Sequence, residues 1–335
     1  MPATDMTITD QEREHPTQQA ASEVTADTAV DTAIAYRSPT SQQVKHVSAR
    51  ISLRAKLLEI WHSRELMSFL VRTEVKVKYK NSILGFLWSM LNPAMTIAVY
   101  FIVFKIIVRS TVPRFVIYLF AGVLVWNLFS SAVTSATSSL VSNSGLVKKV
   151  SFPREVLPIS EVGTACVFFS FQAIVLAIVL AAFGYAPAWN YMWLLIPAFL
   201  ALIVFTAALA VLLSSINVYL RDTHHLLEIV LIAWFWGVPI VYPYSSAMGA
   251  LSRHGLGFLY LMDPVAPVVV TFQRAIYAIV SYIPPGSTTR VFTLPTGGQM
   301  WFLKLDLGVL AGSIALFLIS LIIFGRIEGN FAEEL

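Results

Sequence analysis

Residues 143–158 read NSGLVKKVSFPREVLP, a polar stretch carrying Lys148, Lys149, Arg154 and Glu155 between two long apolar runs. Asn143 or Ser144 can cap a short helix, Leu146, Val147 and Val150 give it an apolar face, and Pro153 and Pro158 stop it. A capped helix with a basic end, held between two membrane spans, suits a docking element for a soluble partner better than a plain tether.

The flanking runs have the composition of membrane spans. Of the 335 residues, 57% are hydrophobic and 13% charged, whereas a soluble domain averages about 25% charged. A helix needs about 20 apolar residues to cross the hydrocarbon core. Six runs qualify: 84–108, 115–137, 161–183, 191–216, 228–244 and 305–324. The fifth contains Pro239 and Pro243, which predicts a kink or break whose freed carbonyls neighbouring helices must satisfy. Lys and Arg near the span ends set the orientation. Nine of them, against three acids, lie between residues 45 and 80. Lys148, Lys149 and Arg154 follow the second span and Arg221 the fourth, while residues 184–190 carry none. Arg109 and Arg114 in the first hairpin run against this pattern. The balance places both termini, and with them residues 143–158, in the cytoplasm.

The remaining segments divide by composition. Residues 1–45 are expected to be a disordered cytoplasmic tail, since residues 1–40 hold seven acids against Arg13 and Arg37 and few large apolar side chains. Residues 46–82 form an amphipathic interfacial segment, with its basic residues towards lipid headgroups. Alternation in VKVKYK, residues 75–80, weakens helix at its end. Residues 83–326 are the six-span domain and 327–335 a cytoplasmic C-terminal tail. Within the domain, residues 245–304 are too polar to cross yet too apolar for an ordinary loop. FLYLMDPVAPVVVTFQRAIYAIV, residues 258–280, is broken by Pro264 and Pro267 and predicts re-entrant or surface-lying helices on the outer side. The expected fold is an all-α integral membrane protein. It has six transmembrane helices, an N-terminal amphipathic helix, a short cytoplasmic helix, and outer helices before the last span.

Several function classes are excluded. Within these bounds the span cores hold no Asp, Glu, Lys, Arg or His, which counts against proton-coupled transport. No paired acids, HExxH or Ser–His–Asp pattern supports an enzyme. Cys166 is the only cysteine, so no intrachain disulfide forms. His224 and His225, beside Asp222, read as an interfacial polar cluster and not a metal site, because adjacent side chains diverge on a helix. The phosphate-binding pattern GxxxxGK[ST] is absent, so any ATP is bound by another chain and no cofactor by this one. Nucleic acid is not an expected partner. The spans are rich in aromatics: Trp88, Tyr100 and Phe104 in the first, Trp126 in the second, Trp234, Trp236 and Tyr242 in the fifth. With Asn92 near Trp88, these either stack on sugar rings in a pathway or serve packing and the interfacial belt.

VKVKYKNSILGFLWSMLNP, residues 75–93, resembles the start of permeases that export polysaccharides and polyol phosphates through ATP-binding cassette transporters. Tyr79, Lys80, Ser82, Leu84, Gly85, Leu87, Trp88 and Pro93 carry the likeness. LVKKVSFPREVLP (146–158), VYLRDTHHL (218–226) and MDPVAPVVVTFQRAIY (262–277) follow in order. They resemble the family's first long cytoplasmic loop, its RD-containing loop and its outer NP-rich helix, with Asp263 standing where the family has Asn.

The resemblance implies a homodimer joined to two copies of a separate ATPase that binds ATP and Mg. Asn143, Leu146, Val147, Lys148, Lys149, Phe152, Pro153 and Arg154 would couple to it, the apolar helix face entering a groove and the basic residues meeting an acidic rim. Trp88, Asn92, Tyr100, Phe104, Trp126, Trp234, Trp236 and Tyr242 would line a glycan channel. Arg72, Lys76, Lys78 and Lys80 would attract a lipid carrier's headgroup, and Asp263, Arg274 and Tyr277 would gate the outer exit. The implied substrate is a polyprenyl-pyrophosphate-linked polysaccharide, a cell-wall galactan or an O-antigen-like glycan, crossing the cytoplasmic membrane of a bacterium. A permease for a smaller lipid or drug, or a membrane-bound glycan-modifying enzyme, are the alternatives.

Overall fold

The structure, a computed structural model, describes residues 53–79, 87–107, 109–255, 257–284, 288 and 290–335. The expected N-terminal tail and Lys80 lie outside the described residues, as do the side chains of Trp88 and Asn92. The chain opens with α1 (Leu53–His62) and α2 (Arg64–Tyr79). Helix thus continues through most of VKVKYK despite its alternation: α2 packs along a long apolar helix described below, and that burial outweighs local β preference. Next comes α3 (Leu87–Phe101), which widens into a π-turn at Ile102–Ile107.

The bundle proper consists of α4 (Phe115–Ser142), the short α5 (Ser144–Lys149), α6 (Val156–Ala182), α7 (Leu195–Tyr219) preceded by a 3-10 turn at Trp189–Leu194, and α8 (Thr223–Gly237). On the far side follow α9 (Tyr244–Arg253), α10 (Gly257–Met262), α11 (Val265–Ile276) and a small antiparallel hairpin, β1 (Ser281–Tyr282) with β2 (Val291–Phe292). The chain ends with α12 (Gln299–Ile327), a 3-10 turn at Glu328–Asn330 and α13 (Phe331–Glu334).

Among the described residues, four helical segments are long and apolar enough to cross a membrane: Phe115–Ser142, Val156–Ala182, Trp189–Tyr219 and Gln299–Asn330. The protein is an all-α, multi-pass membrane protein, but six full spans are not what the described residues give. The first expected span is helical from Leu87 to Ile107, with its described apolar part running from Ala94. The fifth is α8, 15 residues long. At about 1.5 Å per residue α8 falls short of the ~30 Å hydrocarbon core. It stops because Pro239 has no N–H to continue the ladder.

The break is sealed as the prolines require. The Tyr118 hydroxyl shares its one proton between the carbonyls of Tyr242 (2.6 Å) and Pro239 (3.0 Å), and Gln273 Nε2 donates to Pro239 (2.8 Å). Gly122 permits this approach: a Cβ there would lie 3.1 Å from Gln273 Nε2 and 3.2 Å from an Ile240 methyl. Tyr118 belongs to α4, the central helix, buried around most of its circumference by α6, α7, α8 and α11. By contrast α6 and α12 leave much of their apolar surface outward, as lipid-facing helices do. Every residue of α11 except Arg274 is buried, so this helix turns back into the bundle between α4, α7 and α12 and does not lie on its surface.

Both ends of the described chain meet at the α5 end. Leu53 and Leu335 join one apolar cluster with Val147, Leu157, Val218, Phe324 and Phe331.

Candidate functional site

At that end α4 stops and the chain turns into α5 within a single residue. Asn143 does not cap α5 with its side chain. Its Nδ2 donates backwards to the Ser139 carbonyl at 2.9 Å, closing α4, while its own carbonyl accepts from Leu146 N and Val147 N. α5 is therefore held as a rigid corner of α4.

The faces of α5 are sorted differently from the expectation that its apolar side stays free for a groove. Val147 is buried, and Leu146 and Phe152 pack on the cluster formed by Leu140, Leu157, Phe324 and Phe331. Gly145, Lys148, Lys149 and Val150 point outward, Val150 being half exposed. One turn of apolar residues cannot serve both the bundle and a partner, and the bundle takes the larger share. Arg154 is also turned inward: it donates to the Glu328 carbonyl, and its guanidinium sits 5.9 Å from the Phe331 ring centroid.

Beside Arg154 lies a charge cluster that sequence reasoning missed. Lys56 Nζ pairs with the Glu155 carboxylate and, at 3.0 Å, with Glu328 Oε2. Burial pulls the Lys56 ammonium down, but Glu155 and Glu328 outweigh it and hold it above its ordinary value. Only the apolar surroundings of Glu155 in the sequence hinted that it needed a partner.

The expected access residues lie on α2, which packs along α6. Val71 abuts Gly163 closely, and Lys78 Nζ stands 4.3 Å from the Phe168 ring centroid. Lys76 and Lys78 are exposed and Arg72 lines a shallow open groove with Arg64, Glu65 and Phe69.

The expected channel aromatics whose side chains are described form one contact network. Tyr100 stacks on Phe235 (5.5 Å), which meets Trp126 edge-on (5.5 Å), and Phe129 links Trp126 to Trp234. Phe104 approaches Trp236 at 6.5 Å. Within it the roles divide. Trp126 is buried in packing, and Trp234 uses its indole N–H to donate to Asp263 Oδ1 at 3.1 Å. Trp236 is half exposed, while Tyr242 donates its hydroxyl to the Trp236 carbonyl at 2.6 Å.

The three expected gate residues are all engaged. Asp263 also accepts from Val265 N, the first N–H of α11, at 2.9 Å; burial raises its pKa, and the N–H bonds of Val265, Trp234 and Ala266 oppose that rise. Arg274 lies 4.0 Å over the Tyr191 ring and donates to the Ala278 carbonyl at 3.0 Å, and the buried Tyr277 donates to the Pro113 carbonyl at 2.8 Å. Because each of these N–H bonds to Asp263 needs only an acceptor oxygen, Asp263→Asn is expected to keep stability within about 1 kcal/mol, whereas Asp263→Leu costs about 1–3 kcal/mol. Thermal unfolding of the two variants in detergent checks this order.

His224 and His225 do not diverge as expected: both turn their Nδ1 towards Glu228, at 3.9 and 3.8 Å, as a partly exposed polar cluster at the start of α8.

Residues 65–277 match a family described as ABC-2 type transporter. The chain is also similar to proteins named O-antigen export system permease protein RfbA. The one from Myxococcus xanthus is 32% identical over 219 residues, covering 65% of this chain and 83% of that relative. Two from Klebsiella pneumoniae are 29% and 25% identical, over 209 and 210 residues, each covered to 79%.

Proposed function

The chain belongs to the ABC-2 type transporter family as a multi-pass permease subunit and not an enzyme, and from that premise we propose that it exports a polysaccharide carried on a polyprenyl pyrophosphate. The family implies an ATP-binding cassette ATPase as partner. Two copies of each chain would assemble, with both termini of this subunit in the cytoplasm of a bacterium and ATP and Mg held by the ATPase. The named relatives favour an O-antigen-like glycan; a cell-wall galactan has the same lipid-linked chemistry.

The observation that carries the reading is the outward face of α5. Lys148, Lys149 and Val150 are presented by a helix anchored through Leu146 and Val147, so a force on the exposed face is delivered to the bundle. ATP binding shifts the permease only if α5 is held differently in the two states. The exposed and half-buried aromatics Tyr100, Phe104 and Trp236 are the proposed sugar-stacking surface, Arg72, Lys76 and Lys78 the headgroup access, and Asp263, Arg274 and Tyr277 the hinge of the outer gate.

The test is purification of the tagged chain from its own membranes. An ATP-binding cassette subunit is expected to co-purify, with ATP hydrolysis stimulated by a polyprenyl-pyrophosphate-linked glycan. Stimulation by a small amphiphilic drug and none by the glycan would replace this reading with the smaller-substrate one.

A further inference from the structure

Lys56, Glu155 and Glu328 come from three segments separated by 99 and 272 residues in sequence, yet meet at one partly buried point behind α5, with Glu328 on its open side. The Lys56 and Glu155 side chains are 15% and 3% exposed, so both charges are largely withdrawn from water. Arg154, adjacent to Glu155, binds the Glu328 carbonyl and faces Phe331. Lys56 also lies 5.7 Å from the Phe324 ring, and Tyr219 donates to the Ile327 carbonyl at 2.9 Å. Two cations and two carboxylates thus tie α1, the segment after α5 and the last turn of the chain together.

We propose that these four residues form a charge lock that makes α1, α5 and the C-terminal turn move as one body, so that displacement of α5 is transmitted to α1 and α2. Separating the segments would leave a buried carboxylate or ammonium uncompensated, a far larger cost than parting apolar surfaces that lipid can cover. From α1 the motion has a continuous path. Ser63 N and Met67 N extend the helical hydrogen bonding across the α1–α2 joint. α2 is seated on α6 through Val71 against Gly163 and through Lys78 against Phe168. The ATPase stroke at α5 would therefore also move the basic helix proposed to meet the lipid headgroup. Lys56, Glu155 and Glu328 are positioning residues in this scheme; none touches ATP or glycan.

This inference rests on the exporter reading only for the source of the stroke, and its test has two arms. The double variant Lys56→Met/Glu155→Gln removes the two most buried charges together, leaving Glu328, a third exposed, beside Arg154. In the intact chain in detergent, hydrogen exchange of residues 144–155 and 327–334 is expected to accelerate together by roughly tenfold or more, with α6 and α7 unchanged. Unchanged exchange in either segment would overturn the lock. In the complex with its co-purifying ATPase, glycan exported per ATP hydrolysed is expected to fall roughly tenfold, within the 5–150-fold span of ordinary coupling free energies, while hydrolysis continues. The conservative Lys56→Arg, with Glu155 retained, is expected to keep the ratio of the unaltered chain. Equal losses of hydrolysis and export would indicate a docking defect and refute transmission. Failure of the unaltered chain to bind any ATPase would sink the exporter reading, while the exchange arm still decides the lock.

Discussion

Lys148→Glu/Lys149→Glu is expected to leave the protein folded in the membrane, strip the ATPase from it and abolish export. Both side chains are exposed, on the outward face of α5. Reversing two charges on a docking surface that meets an acidic rim creates like-charge contacts costing several kcal/mol, which is roughly a hundredfold or more in affinity. Val147→Asp makes the contrast. Val147 is 3% exposed inside the cluster that joins α5 to α12. A carboxylate there must be desolvated without a partner, and the expected loss is of the protein itself. Abundance and co-purification, measured side by side, separate the outcomes. A double Lys variant that still binds its ATPase and exports normally would mean that α5 is not the docking surface.

Tyr118→Phe is expected to lower the thermal stability of the purified protein more than Gln273→Leu, with the double variant lowest. Tyr118 serves two carbonyls at the break after α8, Pro239 and Tyr242, whereas Gln273 serves Pro239 alone. Removing Tyr118's hydroxyl therefore leaves Tyr242's partly buried carbonyl without this donor, at a cost of about 1 kcal/mol or more. Gln273→Leu also deletes Oε1, which has no hydrogen-bond partner among the described residues, so part of its cost is offset. The two losses will not add simply, because either donor can still serve Pro239 when the other is gone. Thermal unfolding in one detergent, monitored by a core tryptophan, gives the order. The reverse order would mean that packing around Gly122, and not carbonyl capping, holds the break closed.

Much of this organisation is legible in the chain. Residues 143–158 announce a short structured segment because proline, basic and apolar residues alternate there at helical and not loop-like spacing. Pro239 and Pro243 announce a break and a need for donors. Neither signal says which face of α5 is outward. Leu146, Val147 and Val150 are equally apolar, and only the position of α12 and the C-terminal turn decides that the first two are consumed by the bundle. The same holds for Trp234 and Trp236, two residues apart in composition-matched surroundings. One is fixed to Asp263 in the turn before α11, 29 residues later, while the other is left half exposed.

Local chemistry along the sequence determines the membrane class, the long helices, the prolines that end them and the basic ends that orient them. These depend on hydrophobicity and backbone geometry within a few turns of helix. The tertiary structure alone decides how α11 is swallowed by the bundle, which donors close the broken helix, and that Lys56, Glu155 and Glu328 share one partly buried point. Those outcomes depend on contacts between residues up to 272 positions apart. In a membrane bundle the exposed faces of many helices are equally apolar, so burial cannot be read from periodicity when lipid and protein interior look alike to a side chain.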